Sequence, residues 1–429
     1  MSYSKWQPWV VCFAAALFFF FEFVQLNMFN TIGPALTKQF NINAPELANI
    51  SNKYFLANII FLFPTGMLLD HISTRRAIII AMLVAILCTY GFALSTEIWQ
   101  LKLARFFTGV ASTFCFLSCV RLASRWFPPR KMAFVVGLIV TFAMLGGVVA
   151  QTPLALLNNA VGWRTTVIID ASVGVLLWIV VILFVQDRPP NLSEEQDILH
   201  ASLSGKEFWQ SLGQTIKTKQ NWLAGLYTSL MNLPVFVLGA IWGVFYLTQV
   251  RHLSSNRASV VTSMLFFGLI FGSPAIGWFS DFLLRRKSPM IWGAVFSLII
   301  VLILMFAPNI SMFWLAVLFF GLGFMTSAQI ISYPLIAESN PLPLTATAEG
   351  LASVLIMGGG FVQTVVALLM QINWDQHYVQ GVPLYSQGNY LMGFSVMPIA
   401  FLLSIVLAAF VRETQCRSYE HQKFNHEAV

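Results

Sequence analysis

A short motif occurs twice, half a chain apart, and this repeat constrains the fold more than any other feature. The first copy is Gly66-Met67-Leu68-Leu69-Asp70 followed by Arg75-Arg76, and the second is Gly277-Trp278-Phe279-Ser280-Asp281 followed by Arg285-Arg286. The aspartates lie 211 positions apart (281 minus 70) in a chain of 429 residues. Each copy closes one long apolar stretch and is followed at once by another. A repeat at that spacing predicts two homologous halves packed about an axis along the membrane normal. Gly66 and Gly277 are expected to allow close helix approach, and Asp70 and Asp281 to accept hydrogen bonds at a helix terminus. Arg75, Arg76, Arg285 and Arg286 are expected to stay among headgroups or in water.

The apolar stretches agree with that reading. Hydrophobic residues make up 58% of the chain and charged residues 10%, whereas a soluble domain carries roughly a quarter charged residues. A run of about 20 apolar residues spans a bilayer as a helix. Twelve such segments are predicted, at roughly 9–34, 47–69, 77–95, 98–122, 131–156, 164–185, 222–247, 258–279, 289–307, 311–336, 347–371 and 387–411. They are numbered helices 1 to 12 here. The predicted organisation is a six-helix bundle at 1–185, a linker at 186–221, a second six-helix bundle at 222–411, and a tail at 412–429.

The pI near 9.2 does not indicate nucleic acid, because no basic stripe is interleaved with base-stacking aromatics. Of 24 Lys and Arg, 17 fall on the side that also holds both termini: Lys5, Arg75, Arg76, Arg121, Arg125, Arg130, Lys131, Arg188, Lys206, Lys217, Lys219, Arg285, Arg286, Lys287, Arg412, Arg417 and Lys423. The positive-inside rule then places both termini in the cytoplasm. The first apolar stretch is too long for a signal-peptide core and lacks a small-residue cleavage site, so it is expected to remain as helix 1. Cys12, Cys88, Cys115, Cys119 and Cys416 form no CxxC or Cys/His cluster and read as small apolar packers.

The duplicated loop motif resembles that of the major facilitator superfamily, between its second and third and its eighth and ninth helices. The resemblance covers nearly the whole chain and implies an all-α membrane protein of twelve helices in two pseudo-symmetric bundles. It further implies transport by rocking of the halves about a site near the bilayer midplane, gated by the two loop motifs.

Ionisable groups at bilayer depth cost about 2.5–3.5 kcal/mol each to insert and so are functional candidates. Glu22 sits mid-helix 1 within Phe18-Phe19-Phe20-Phe21-Glu22-Phe23, Arg105 lies in helix 4 and Asp170 in helix 6. Desolvation raises a carboxylate's pKa and a nearby arginine lowers it, so a balanced carboxylate can load and release protons. The resemblance puts helices 1, 4, 7 and 10 around the central cavity, which sets Glu22 and Arg105 on one wall. Arg105 also opens Arg105-Phe106-Phe107-Thr108-Gly109, similar to the family's helix-4 R-x-x-x-G element. Two readings follow for Glu22 and Arg105: proton coupling or anion binding, and a static ion pair joining helices 1 and 4. Asp170 follows Gly162-Trp163-Arg164 on a helix that usually packs peripherally, which favours a structural hydrogen bond.

Helical spacing places Gln25 and Asn30 with Glu22, while Asn27 lies off that face; Thr108 and Ser112 follow Arg105 on one polar face. Gln151 precedes Pro153 in helix 5. Asn232, Trp242 and Tyr246 lie in helix 7, Gln329 and Tyr333 in helix 10, and Gln363 follows Gly358-Gly359-Gly360 in helix 11. These amides and aromatics are the candidate substrate contacts, because an amide can read a polar solute and Tyr or Trp can stack on one and hydrogen-bond it. The prolines of helices 7 and 10 free backbone carbonyls and suit a hinge or cavity lining. The glycine triplet reads as a flexing or packing point. The Gly-Pro pattern of drug-exporting relatives is absent around Pro153. No phosphate loop, metal-ligand spacing or nucleophile elbow occurs, so no ATP hydrolysis, metal, cofactor or enzyme activity is implied.

Several stretches, among them Asn52-Lys53-Tyr54-Phe55-Leu56-Ala57, Phe63-Pro64-Thr65-Gly66 and Arg121-Leu122-Ala123-Ser124-Arg125-Trp126-Phe127-Pro128, are similar to bacterial carriers of the phagosomal-transporter type. That branch implies uptake of amino acids or nucleosides in a bacterial inner membrane, with siderophore traffic among its neighbours. Many relatives carry an arginine shortly after the helix-1 acidic residue, where this chain reads Val24-Gln25-Leu26. The expectation is a monomeric, proton-coupled symporter of a small polar metabolite, an amino acid first. The alternatives are a carrier of a siderophore or other organic anion, export included, and a non-transporting sensor on the same fold.

Overall fold

The computed structural model describes residues 6–127, 132–188, 213, 215–340, 345–379 and 382–416. The chain starts with α1 (Gln7–Asn27), α2 (Phe29–Phe40), α3 (Ala44–His71), α4 (Thr74–Leu94), α5 (Ile98–Trp126), α6 (Met132–Val161) and α7 (Trp163–Phe184). It continues with α8 (Lys219–Met231), a π-helical segment Val235–Trp242, α9 (Gly243–Gln249), α10 (Ser255–Leu283), α11 (Lys287–Phe306) and α12 (Met312–Thr326). A 3₁₀ segment Ser327–Ile331 then leads into α13 (Ser332–Ser339), α14 (Thr345–Gly359) and α15 (Val362–Gln371). The short strands β1 (Tyr378–Val379) and β2 (Val382–Pro383) precede α16 (Gln387–Phe394) and α17 (Val396–Phe410).

Among the described residues, eleven helices or helical runs are long and apolar enough to cross a bilayer. The twelfth expected segment, 47–69, falls in α3, whose 28 residues span about 42 Å at the α-helical rise. The protein is therefore an all-α, multi-pass membrane protein. Most of the expected linker at 186–221 and tail at 412–429 lies outside the described residues.

Five of the twelve segments are broken, and proline or glycine stands at most of the breaks. Segment 1 bends at Met28, between α1 and α2, and Pro34 lies inside α2. Segment 7 changes to π geometry after Pro234. Segment 10 passes through the 3₁₀ turn shortly before Pro334. Segment 11 ends its first helix at Gly359 and resumes at Val362, so the glycine triplet is a break. Segment 12 breaks at Ser395, between α16 and α17, two residues after Gly393 and three before Pro398. Proline cannot donate to the carbonyl one turn earlier, and membrane helices tolerate this only where protein or a water-filled space takes up the freed group.

Contacts divide the chain into two compact units. The first is built from α1–α7 and also takes in the hairpin residues Tyr378–Pro383; β1 and β2 pair antiparallel there, Tyr378 opposite Pro383 and Val379 opposite Val382. Its apolar core runs through Phe18, Phe21, Met82, Ile86, Cys115, Cys119 and Trp126. Tight crossings are made where a glycine meets backbone: a Cβ at Gly109 of α5 would stand 2.3 Å from the Tyr54 carbonyl oxygen, and one at Gly146 of α6 2.2 Å from that of Phe20. The second unit holds α8–α17. There a Cβ at Gly323 would stand 2.0 Å from the Leu265 carbonyl oxygen, joining α12 to α10 backbone to backbone. Among the described residues, a Cβ at Gly66 or Gly277 meets no atom within 4 Å.

Candidate functional site: a buried polar cluster in the first unit

The apolar interior of the first unit is interrupted by a polar cluster drawn from four helices. Glu22 and Gln25 of α1, Arg105 of α5 and Thr89 of α4 are each 1% exposed, and Asp170 of α7 is 9% exposed. Arg105 donates from Nη1 to the backbone carbonyl of Gln25 at 3.0 Å. Its Cζ lies over the rings of Phe29 and Tyr54, 4.9 and 4.8 Å from their centroids, within cation–π range. The Gln25 side chain donates from Nε2 to Asp170 Oδ2 and accepts from Thr89 Oγ1 at 3.2 Å.

Two charged groups in this cluster are left open. Both carboxylate oxygens of Glu22 are buried with no hydrogen-bond partner, as are Nε and Nη2 of Arg105. The static Glu22–Arg105 ion pair is therefore absent. Buried, unsatisfied charge is expensive, and each native instance needs an explanation such as a ligand, an ion or a catalytic role. Nε and Nη2 share one edge of the guanidinium. That edge is where a carboxylate docks with two parallel hydrogen bonds.

The other sequence candidates of this half are satisfied internally. Asn30 donates to Gln151 Oε1 at 3.1 Å, which ties α2 to α6. Ser112 accepts from Asn58 Nδ2 at 2.7 Å and donates to the Gly109 carbonyl. Asn27, off the Glu22 face, donates to the Phe23 carbonyl at 2.8 Å, while its Oδ1 is buried without a partner. Gln25, expected as a solute contact, instead spends its side chain on Asp170 and Thr89. Sequence reasoning did not assign Phe29, Tyr54 or Thr89 to the site. No local signal distinguishes two rings among 39 Phe and 10 Tyr.

In the second unit, Gln329 donates to Asn232 Oδ1 at 3.2 Å, linking the 3₁₀ turn to the end of α8. Gln363 donates to the Phe236 carbonyl at 2.9 Å, and its Oε1 has no partner. Trp242, 1% exposed, has no partner for its indole nitrogen. Tyr246 donates to the Leu304 carbonyl at 2.8 Å, accepts from Arg251 Nε at 3.0 Å, and packs on Tyr390 and Phe394. Its hydroxyl is already committed. Tyr333 is half-buried.

The two loop motifs are anchored in related ways. In the first, the Asp70 side chain lies outside the described residues, Arg75 and Arg76 are exposed, and the Arg75 amide donates to Asp187 Oδ1 at 2.8 Å. In the second, Arg285 is exposed but Arg286 is 6% exposed. Arg286 meets Asp281 at 2.6 Å and Glu338 at 2.7 Å. The amides of Arg286 and Lys287 donate to Glu413 at 2.8 and 2.9 Å. The expectation that these arginines stay in headgroups or water thus fails for Arg286, because three carboxylates surround it. Burial by itself lowers its pKa, but the hydrogen bonds and charge of Glu338, then Asp281, outweigh that and raise it further. Among the described residues there is no group of three or more His, Cys, Asp or Glu that could hold a metal ion.

The duplicated motif, the broken helices and the buried charges together describe a carrier. The chain matches the Major Facilitator Superfamily over residues 12–364. It belongs to that superfamily. Its relatives are transporters, and this protein is a membrane transporter. It is 24% identical to a D-galactonate transporter of Escherichia coli O6:H1 over 370 residues, covering 78% of this chain and 83% of that one. It is 22% identical to a hexuronate transporter of Bacillus subtilis over 286 residues, 66% of each chain. The fold matches a crystal structure of a bacterial homologue of the human lysosomal transporter Spinster with a TM-score of 0.75 at 16% identity, covering 95% of this chain and 97% of that one.

Proposed function

We propose that this superfamily member is a proton-coupled carrier of a small organic carboxylate, with Arg105 as the anion contact and Glu22 as the proton-carrying group. The observation that carries the proposal is that both are buried and charged by type, and that both carboxylate oxygens of Glu22 and Nε and Nη2 of Arg105 have no hydrogen-bond partner. A carboxylate solute satisfies the free edge of Arg105. A proton on Glu22 removes the repulsion that a second carboxylate would feel there. Loading of the two groups then differs between the two faces of the membrane, and such a difference is what lets a ligand drive alternating access. The relatives named above carry hexuronate and galactonate, both sugar acids, which supports an organic acid over an amino acid. The ammonium of an amino acid would have to pair with Glu22, the group that this reading assigns to the proton.

We further propose a bacterial cytoplasmic-membrane location with both termini inside, on the distribution of Lys and Arg, and a carrier that works as a monomer. The test is proton movement triggered by solutes in proteoliposomes. The panel holds D-galactonate, D-glucuronate, other organic acids, amino acids and nucleosides, with wild type beside Glu22→Gln and Arg105→Lys. Proton entry with one organic acid, abolished by both substitutions, is the expected result. Coupled uptake that survives Glu22→Gln overturns the role of Glu22, and a response confined to amino acids overturns the substrate class.

A further inference from the structure

Asp170 takes no direct part in that reading, yet it is the one carboxylate hydrogen-bonded into the cluster. It stands on α7, 145 positions from Gln25, and accepts from the Gln25 amide. Thr89 holds the other end of the same amide, at 3.2 Å. Gln25 is thus gripped at both ends of its side chain, and its backbone carbonyl holds Arg105 Nη1 at 3.0 Å. Gln25 lies two residues before the end of α1, next to the Met28 break. The Gln25 carbonyl is one of the last of α1, where the helix leaves carbonyls for outside donors, and Arg105 Nη1 takes it.

We infer that Asp170 is a positioning residue for solute binding: through Gln25 it fixes the carbonyl that holds one arm of Arg105, and so aims the opposite edge, Nε and Nη2, at the carboxylate. A bidentate contact is sensitive to such aim, because both bonds must lie in the guanidinium plane. The charge on Asp170 is not required for this; an acceptor at Oδ is. The inference rests on the proposed role of Arg105 as the anion contact.

The experiment compares Asp170→Ala, Asp170→Asn and Arg105→Lys with wild type in two assays. In the first, purified carrier is treated with phenylglyoxal, a guanidinium reagent, and modification at Arg105 is followed by peptide mass spectrometry, with Arg164 as the internal standard. This arm needs no solute. Asp170→Ala is expected to raise the Arg105 rate at least fivefold with Arg164 unchanged, and Asp170→Asn to restore it to within twofold of wild type. In the second, D-galactonate and D-glucuronate uptake is measured. Asp170→Ala is expected to raise KM at least fivefold with the maximal rate within twofold, and Asp170→Asn to recover most of the loss. Equal Arg105 modification in wild type and Asp170→Ala overturns the inference. So does an Asp170→Asn carrier as impaired as Asp170→Ala, which would show that charge matters rather than acceptance. If Arg105→Lys leaves uptake intact, the reading of Arg105 fails. If Arg105→Lys abolishes uptake while Asp170→Ala keeps the wild-type KM, only the inference fails.

Discussion

Gly109→Ala tests whether the packing of α5 on α3 holds the arginine site together. Gly109 is one helical turn beyond Arg105, and the added methyl would stand 2.3 Å from the Tyr54 carbonyl oxygen, 2.8 Å from Tyr54 Cα and 2.9 Å from Ala57 Cβ. None of these atoms can rotate away, and a comfortable contact is about 3.5 Å. The two helices must therefore part by about 1 Å. Overpacking of this kind costs about 1–3 kcal/mol. The displaced residue is Tyr54, whose ring centroid is 4.8 Å from Arg105 Cζ. Moving it outward by about 1 Å brings it to the limit of useful cation–π distance, where about 0.5–2 kcal/mol is at stake. If that energy supports the binding-competent arginine, solute affinity falls between about 2-fold and 30-fold. Thermal unfolding in detergent and KM in proteoliposomes read the two effects separately. Gly91→Ala on α4 is the control, since a Cβ there meets no atom within 4 Å; it should be neutral or stabilising by up to about 1 kcal/mol. A Gly109→Ala carrier with wild-type melting and wild-type KM would refute the claim that this crossing positions the site.

Three further outcomes follow from the same geometry. Glu338→Ala removes the largely buried partner of Arg286, whose side chains are 13% and 7% exposed, and should destabilise by about 3–5 kcal/mol. Asp281→Ala removes a partner whose side chain is 66% exposed and should cost no more than about 1 kcal/mol; chemical-denaturation midpoints that reverse this order would sink the assignment. The raised pKa of Arg286 makes its contribution to stability complete below the ordinary arginine value and lost only as pH climbs through the still higher folded value. The stability difference between wild type and Arg286→Ala should accordingly show no fall that is due to Arg286 deprotonation between about pH 7 and 10. Tyr246→Phe deletes the bonds to Leu304 and Arg251 and should cost about 0.5–1.5 kcal/mol of stability with KM unchanged; a large rise in KM would return Tyr246 to the solute site.

The sequence by itself determined the class of fold, because a bilayer demands about 20 apolar residues per helical crossing and leaves that demand visible in composition. It also picked out Glu22 and Arg105, because a charge in an apolar run is too costly to be incidental. The duplicated motif marked both loops, although it gave no hint that Arg286 would be buried among Asp281, Glu338 and Glu413 while Arg285 stayed in the open. What the residues of the cluster do for one another was decided only in three dimensions. Gln25 meets Asp170 across 145 positions, Arg105 across 80 and Thr89 across 64. Helical periodicity says which face of α1 carries Gln25, but it does not say which of six neighbouring helices that face will meet. The open edge of Arg105 and the unpartnered oxygens of Glu22 exist because packing directs one arm of the arginine to a backbone carbonyl and leaves the carboxylate beside it without a donor. Hydrogen bonding is directional and short-ranged, so this choice is made by the tertiary arrangement of helix ends and breaks, and a linear pattern of residues does not encode it.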